Sequence, residues 1–384
     1  MTRVLMLLSN GFTHDPRVDA EARSLARAGY EVTVLCWDRA GTLPPEEVRD
    51  GVHVVRLRNN LLMRLAGYDL FRLRPFWWLA ARRALELHRQ TPFGVIHAHD
   101  LDTLPAAVAV KRRTGLPLVY DAHEFFPWMI ADLSRAKPWE GRFAALERRL
   151  IRASDLVLTP AKPHHEYFAR LTDRPVVVVS NSRPLVTDAY EPPANPRMTV
   201  LFIGSMYPGR FLVELAEVAA EDGSFDVEFA GPGPFAPAVR TVAAKSRGNV
   251  RYLGVVPMAE VVPRTRAADV VHGMLDPSMR LFRLAAPNKF YEALVAGRPI
   301  VVSKGTWVGD EVEAAGCGVA VDFTKEALRD ALRALATDPA ARERMGRNAL
   351  RLAQETYNWT RDEAALLEAY RRLGIYPRAA SAPS

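Results

Sequence analysis

The stretch APNKFYEALVAGRPIVVS, residues 286–303, reads as one complete helix-to-strand unit. Pro287 suits the first helical position, because the N–H it lacks is one that a helix start leaves unpaired anyway. Gly297 supplies a stop, and Pro299 leads into the apolar run Ile300–Ser303. A helix followed at once by a buried strand is the building block of a parallel α/β sheet. Lys289 then falls in the first turn, where the helix dipole and the free N–H groups make a cation unfavourable by roughly 0.3–1 kcal/mol. A bound anion reverses that argument. Lys289 and the helix start together form a phosphate site, and Glu292, three residues on along the same face, is placed to accept hydrogen bonds from ribose hydroxyls. On these residues alone, a surface Lys289–Glu292 pair is an equal alternative.

The same alternation extends in both directions. Downstream of a Pro-rich, aperiodic stretch at 182–198 lie apolar runs at 199–204, 226–231, 250–254, 270–274 and 318–322, and upstream of it runs at 4–8, 31–36, 52–57, 95–98, 118–122, 156–159 and 176–180. Near-continuous apolar strands separated by amphipathic helices predict two doubly wound, Rossmann-like domains on either side of a linker. The expected division is 1–185, a linker at 186–198, and 199–360. A last helix at about 361–376 would cross back to the first domain, and the tail 377–384 is expected to be disordered. The first helix is well marked by Asp15 as N-cap, Pro16 at its first position, Val18, Ala22, Leu25 and Ala26 on one face, and Gly29 as stop.

At 384 residues and 49% hydrophobic composition the chain exceeds what one core usually holds. Its two cysteines, Cys36 and Cys317, are isolated in apolar surroundings, which fits neither a disulfide framework nor a thiolate metal site and points to a reducing cytoplasm. We read no signal peptide at the N-terminus and no spanning helix, so the expected protein is cytoplasmic, soluble or peripheral. The net charge of +7 is uneven. Residues 1–190 hold 27 Lys and Arg against 21 Asp and Glu, while the rest hold 24 against 23. The basic residues form no recognised nucleic-acid module, so no nucleic-acid partner is expected. SNGFTH follows the first strand where a dinucleotide site would carry GxGxxG, which argues against NAD. GPGP at 231–234 reads as a plain turn, and His164 with His165 as surface groups.

Several other residues sit where a sheet of this kind binds ligands. Gly11, after the first strand, leaves room for a phosphate or acceptor, although a simple turn glycine fits as well. His123 and Glu124 follow LVYDA at the carboxyl edge of the sheet. In HAHD at 97–100 the two histidines share a strand face, but no third or fourth metal ligand is evident. Finally, 61–89 interleaves Phe71, Phe76, Trp77 and Trp78 with Arg72, Arg74, Arg82 and Arg83. Either this is an amphipathic surface for anionic lipid, or the aromatics enter the core while the arginines stay solvated.

Segment 286–303 resembles the donor-binding motif of retaining glycosyltransferases of the GT-B fold, family 4, in which P-N-K-x-x-E-x-x-x-x-G-x-P-V/I-V recurs. SNGFTHDPRVDAEARSLARAGYEVTVLC, LVYDAHE and YLGVVPMAEVVPRTRAADVVH resemble other parts of that family in the same order, so the similarity covers nearly the whole chain. The resemblance implies a nucleotide-sugar donor, UDP- or GDP-linked, bound by the second domain, and an acceptor bound mainly by the first. It also implies retention of configuration and no metal or other cofactor, and with it His99 and Asp100 are read as cleft-edge residues, with no metal. Glu292 would bind the ribose, with Asn288, Lys289, Arg210 and the strand-ending Gly204 at the diphosphate, and His123 would contact the sugar. Arg210, Lys289 and His123 are thus the expected catalytic groups. Many relatives use lipid-linked acceptors. Two departures stand out. Ser205 replaces the first cation of a usual basic pair, and Leu284 replaces a glutamate eight residues before Glu292. A GT-B sugar-nucleotide epimerase and a catalytically silent nucleotide-sugar-binding protein are the remaining alternatives.

Overall fold

The structure is a computed structural model that describes residues 2–377 apart from 14, 61–62, 65–68 and 134–136. The tail expected to be disordered lies outside the described residues from 378 onward. The chain divides into two units, Met1–Val179 together with Asp362–Ser384, and Ser180–Arg361. Each is described by itself.

The first unit is built on eight strands: β1 (Arg3–Leu8), β2 (Glu31–Asp38), β3 (Glu46–Arg49), β4 (Val52–Arg58), β5 (Val95–His99), β6 (Leu118–Asp121), β7 (Leu156–Thr159) and β8 (Val176–Val178). They pair in the order β3-β4-β2-β1-β5-β6-β7-β8. All neighbours are parallel except β3, which runs antiparallel to β4. β3 was not anticipated, because EEVR carries no apolar alternation; it is an edge strand that exposes Val48. β1 is central, and Val4 to Leu7 are fully buried, as a strand covered on both faces requires. The first helix, Pro16–Arg27, starts as the sequence indicates, with the Asp15 carboxylate accepting from the Val18 N–H.

The helix Trp359–Arg372 ends in the first unit. There Tyr370 Oη lies 2.8 Å from His97 Nδ1, and Glu363 pairs with Arg27 at 2.7 Å. The 61–89 segment supplies the helix Asp69–Gln90, and its aromatics divide between the core and the surface. Phe76 is buried and stacks on Trp37 at 4.7 Å, whereas Phe71 and Trp78 are exposed.

The second unit holds β9 (Thr199–Ile203), β10 (Asp226–Ala230), β11 (Val250–Tyr252), β12 (Val270–His272), β13 (Ile300–Ser303) and β14 (Gly318–Val321), all parallel, in the order β11-β10-β9-β12-β13-β14. The stretch 186–198 packs against this unit rather than hanging free: Asn195 donates to Asp269, and Glu191 pairs with Arg266. The helix Asn288–Ala296 begins one residue later than the sequence suggested, with Pro287 as its N-cap. Gly297 ends it in the left-handed region at φ 63°, its N–H and the next one turning back to the last carbonyls.

Strand order reverses direction between β1 and β5 in the first sheet, and between β9 and β12 in the second. Doubly wound sheets bind ligands at the carboxyl ends of strands beside such a reversal. Gly11, Asp100 and His123 follow β1, β5 and β6; Gly204 follows β9.

Candidate active site

In the second unit, the glycine that ends β9 and the lysine that opens the Asn288–Ala296 helix meet. A Cβ on Gly204 would stand 3.0 Å from Lys289 Nζ, and Gly204 itself has φ 141°, so no other residue fits there without strain. Lys289 is buried, with its ammonium 4.2 Å from the centre of the Phe202 ring. Burial, and then the charge of Arg210, lower its pKa to about 7, with Glu292 acting in the opposite sense. No carboxylate among the described residues forms an ion pair with it. A buried cation beside a second cation and a helix N-terminus is unfavourable until an anion arrives.

Arg210 sits in a tightly shaped turn. Its carbonyl lies 3.0 Å from His272 Nε2, its guanidinium 5.7 Å from the Phe282 ring centre, and its neighbours Gly209 and Phe211 both have positive φ. The GPGP turn packs under this region. A Cβ on Gly231 would lie 2.1 Å from the Gly204 carbonyl oxygen, and one on Gly233 2.4 Å from that of Met206. These glycines therefore set the height of the β9 loop, a packing role that the sequence reading did not assign. Asn288 is exposed at the helix start.

Glu292 is buried, but it is not paired with Lys289. Its Oε1 accepts from the Arg183 guanidinium at 2.8 Å. Arg183 is itself held by its main chain, which bridges to Asn358 and accepts from the Trp359 N–H. This arginine was missed in the sequence, where it lies in an aperiodic stretch. Ser205 is exposed and Leu284 half-buried, so neither supplies a charge.

In the first unit the residues after β5 and β6 assemble around Asp121. Its carboxylate takes two bonds from Arg17, at 2.6 and 2.9 Å, and also lies 2.8 Å from His123 Nε2 and 3.1 Å from His99 Nδ1. Burial alone would raise the Asp121 pKa; Arg17 and His123 hold it well below the usual carboxylate range. Burial would lower His123, but Asp100 and Asp121 raise it to about 10, so it is an imidazolium at neutral pH. Asp100 is pushed up to about 8 by burial, against the pull of His123. It sits at φ 59°, a left-handed conformation rare outside glycine, with its Oδ1 accepting from the His123 and Glu124 N–H groups. Glu124 is exposed. Gly11 turns its carbonyl to Arg56 Nε at 3.0 Å.

Three histidines need correction. His99 is only 1% exposed, so it lies beneath the site and not at an edge. His164 is buried too, stacked on Phe125 at 4.1 Å, because its helix turns that face inward. The His97–His99 pair also has company that the linear pattern did not reveal: Glu21, His97, His99 and Asp121 bring one ligand-type atom each within 4.8 Å of one another. The charges in this cluster disfavour a cation, because the Arg17 guanidinium already neutralises Asp121 and lies 3.2 Å from Glu21. Burial, and then the charge of Asp121, raise the Glu21 pKa well above the usual value, with Arg17 acting in the opposite sense.

Lys289 and Arg210 behind a strand-ending glycine in one doubly wound unit, and the Asp121–His123 cluster at the carboxyl edge of the other unit's sheet, stand where α/β enzymes bind their ligands. Residues 14–182 match the family described as glycosyl transferase 4-like domain, and residues 197–338 match glycosyl transferases group 1. The chain belongs to this glycosyltransferase family, with the two-unit GT-B fold. It is 28% identical to a D-inositol 3-phosphate glycosyltransferase of Kineococcus radiotolerans, over 94% of this chain and 90% of that protein. Among solved structures, sucrose-phosphate synthase from Thermosynechococcus elongatus matches with a TM-score of 0.78 at 14% identity, covering 97% of this chain and 99% of that one. Anabaena HepE in complex with UDP and glucose matches with a TM-score of 0.70 at 14% identity, covering 97% and 100%.

Proposed function

We propose that the chain transfers a sugar from a UDP- or GDP-linked donor to an acceptor, with retention of configuration and without a metal. The observation that carries this reading is Lys289, a buried ammonium with no carboxylate partner among the described residues, set against Gly204 and beside Arg210. As the bond between sugar and phosphate breaks, negative charge grows on the leaving diphosphate. Lys289, Arg210 and the first-turn N–H groups, including that of Asn288, are fixed donors that stabilise that charge. Fixed donors need no reorganisation as the charge develops, and this allows transfer without a divalent ion. Glu292, oriented by Arg183, takes the ribose through its second oxygen.

His123 is assigned to the sugar as a hydrogen-bond donor, a role suited to an imidazolium held by Asp100 and Asp121. Gly11 and Glu124 are assigned to the approach of the ligands on the first unit, with His99 and Asp100 supporting His123. The acceptor is assigned to the lipid-linked class and the protein to the cytoplasmic face of a membrane, on the strength of the exposed Phe71 and Trp78 among arginines of the Asp69–Gln90 helix. No described helix is long and apolar enough to cross a membrane.

The test is incubation with a panel of UDP- and GDP-sugars, with and without lipid-phosphate acceptors, following nucleoside diphosphate release and the anomeric form of the product. Acceptor-dependent release with retained configuration supports the reading. Conversion of the donor sugar without acceptor would instead indicate an epimerase, and binding without turnover a silent protein, which the absence of charge at Ser205 and Leu284 would then explain.

A further inference from the structure

The helices Asp69–Gln90, Leu104–Thr114 and Glu140–Leu150 of the first unit enclose a half-open cavity of 860 Å³. That volume is within the range of small-molecule sites, about 300–1,000 Å³. Its wall is apolar: Trp77, Val108, Phe143 and Leu146 line it and offer an entering molecule little to hydrogen-bond. Its rim is cationic. Arg74, Arg112, Arg142 and Arg149 border the opening, and all four are exposed. None of them pairs with a carboxylate among the described residues, although most other arginines on this unit do. Arg142 instead lies over the Trp139 ring at 4.6 Å. Phe71, Arg74 and Trp78 recur at i, i+3 and i+7 on one stripe of the first helix, with Phe71 57% and Trp78 60% exposed.

A nucleotide or sugar would leave its polar groups unmet by this wall, and a peptide would need more than four guanidinium groups to pair its backbone. A hydrocarbon chain fits the wall, and a phosphate fits the forked guanidinium groups of the rim. We propose that this cavity holds one acyl chain of an anionic membrane phospholipid, with its phosphate gripped by the rim arginines. The proposal rests on the membrane-facing part of the function proposed above. It goes further, because a seated chain fixes the first unit at one depth and orientation, whereas surface attraction alone does not.

The experiment uses the full chain and vesicles of phosphatidylglycerol or phosphatidylcholine, each with plain or brominated acyl chains, reading flotation and tryptophan emission. Brominated phosphatidylglycerol is expected to quench emission, with the quenched fraction falling in Trp139→Phe and Trp77→Phe. The double variant Arg142→Glu, Arg149→Glu should bind at least tenfold more weakly, and inorganic phosphate alone should leave emission unchanged. Equal binding to phosphatidylcholine, unchanged binding of the double variant, or binding with no quenching assigned to Trp77 and Trp139 would each overturn the proposal. The two Trp→Phe variants are conservative, so the assignment stands even if the double variant fails to fold. Nucleotide-sugar binding, measured in the same samples, is a property of the second unit: its absence would count against the proposed transferase and leave the lipid result to stand or fall by itself.

Discussion

Arg183 holds the Glu292 carboxylate at 2.8 Å, with both side chains largely buried. The pairing leaves one carboxylate oxygen for a ligand and fixes where it points. Hydrogen bonds involving a charged group contribute about 1.5–3 kcal/mol, so Glu292→Ala should weaken donor binding by roughly ten- to a hundredfold. Arg183→Ala should also weaken it, and should lower the melting temperature, because it leaves a buried carboxylate unpaired. Calorimetric titration with the donor beside a melting curve separates the two effects; unchanged affinity in Glu292→Ala would remove the ribose assignment.

Lys289 predicts a pH dependence with a definite sign. Its pKa falls from the usual 10.5 to about 7 in the unliganded protein, first through burial and then through Arg210. A bound diphosphate restores the charge, so donor binding takes up a proton, and affinity should fall as pH rises from about 7 toward 10, by at most tenfold per unit. For folding, the lowered pKa means that the native state binds fewer protons than the unfolded chain over this window. Unliganded stability should therefore rise with pH from about 7 to about 10.5, and the gain is lost as pH falls through 7. Lys289→Met should melt a few degrees higher than wild type at pH 6.5, with the gap closing toward pH 10, while losing donor binding. Titrations in buffers of different ionisation heat count the proton directly.

Asp121 is the centre of the first unit's charged cluster, with Arg17, His99 and His123 all upon it. Removing one partner of a buried ion pair typically costs 3–5 kcal/mol. Asp121→Ala should lose stability on about that scale in denaturant unfolding, and transfer activity should drop further than stability alone explains, because the His123 pKa falls with it. A neutral effect on both would show that the cluster is incidental.

Two glycines give opposite expectations. Gly231→Ala drives a methyl group against the Gly204 carbonyl, at a φ of 128° that alanine rarely adopts, so it should displace the β9 loop and weaken both stability and donor binding. Gly11→Ala meets only the end of the Leu43 side chain, at 2.8 Å, and should be tolerated with little change in melting temperature. Comparing the two by thermal melts, with and without nucleotide, checks the packing argument.

What could be read in the sequence depended on whether the cause was local. Asp15, Pro16, Gly297 and the apolar strands act within a few residues, so the alternation and the phosphate-site helix were legible. Lys289 was legible because a cation in a first helical turn is locally unfavourable. Arg17 and Glu21 drew no reading from the sequence, since their partner Asp121 is distant in the chain. A carboxylate inside the apolar run LVYDA was the available signal, because a charge in a covered strand requires a counter-charge. Arg183 left no such trace, and neither did the approach of Gly231 to Gly204, which exists only once β9 and β10 are side by side. The strand β3 is stabilised by its pairing with β4, not by its own composition.

The central claim is that Lys289 and Arg210 grip a nucleotide diphosphate. The most direct measurement is calorimetric titration of UDP- and GDP-sugars into wild type, Lys289→Met and Arg210→Ala at pH 7. The account predicts that at least one of these donors binds wild type, with a loss of tenfold or more in each variant. Wild-type affinity retained in both variants, or no binding by wild type to any donor of the panel, would contradict it.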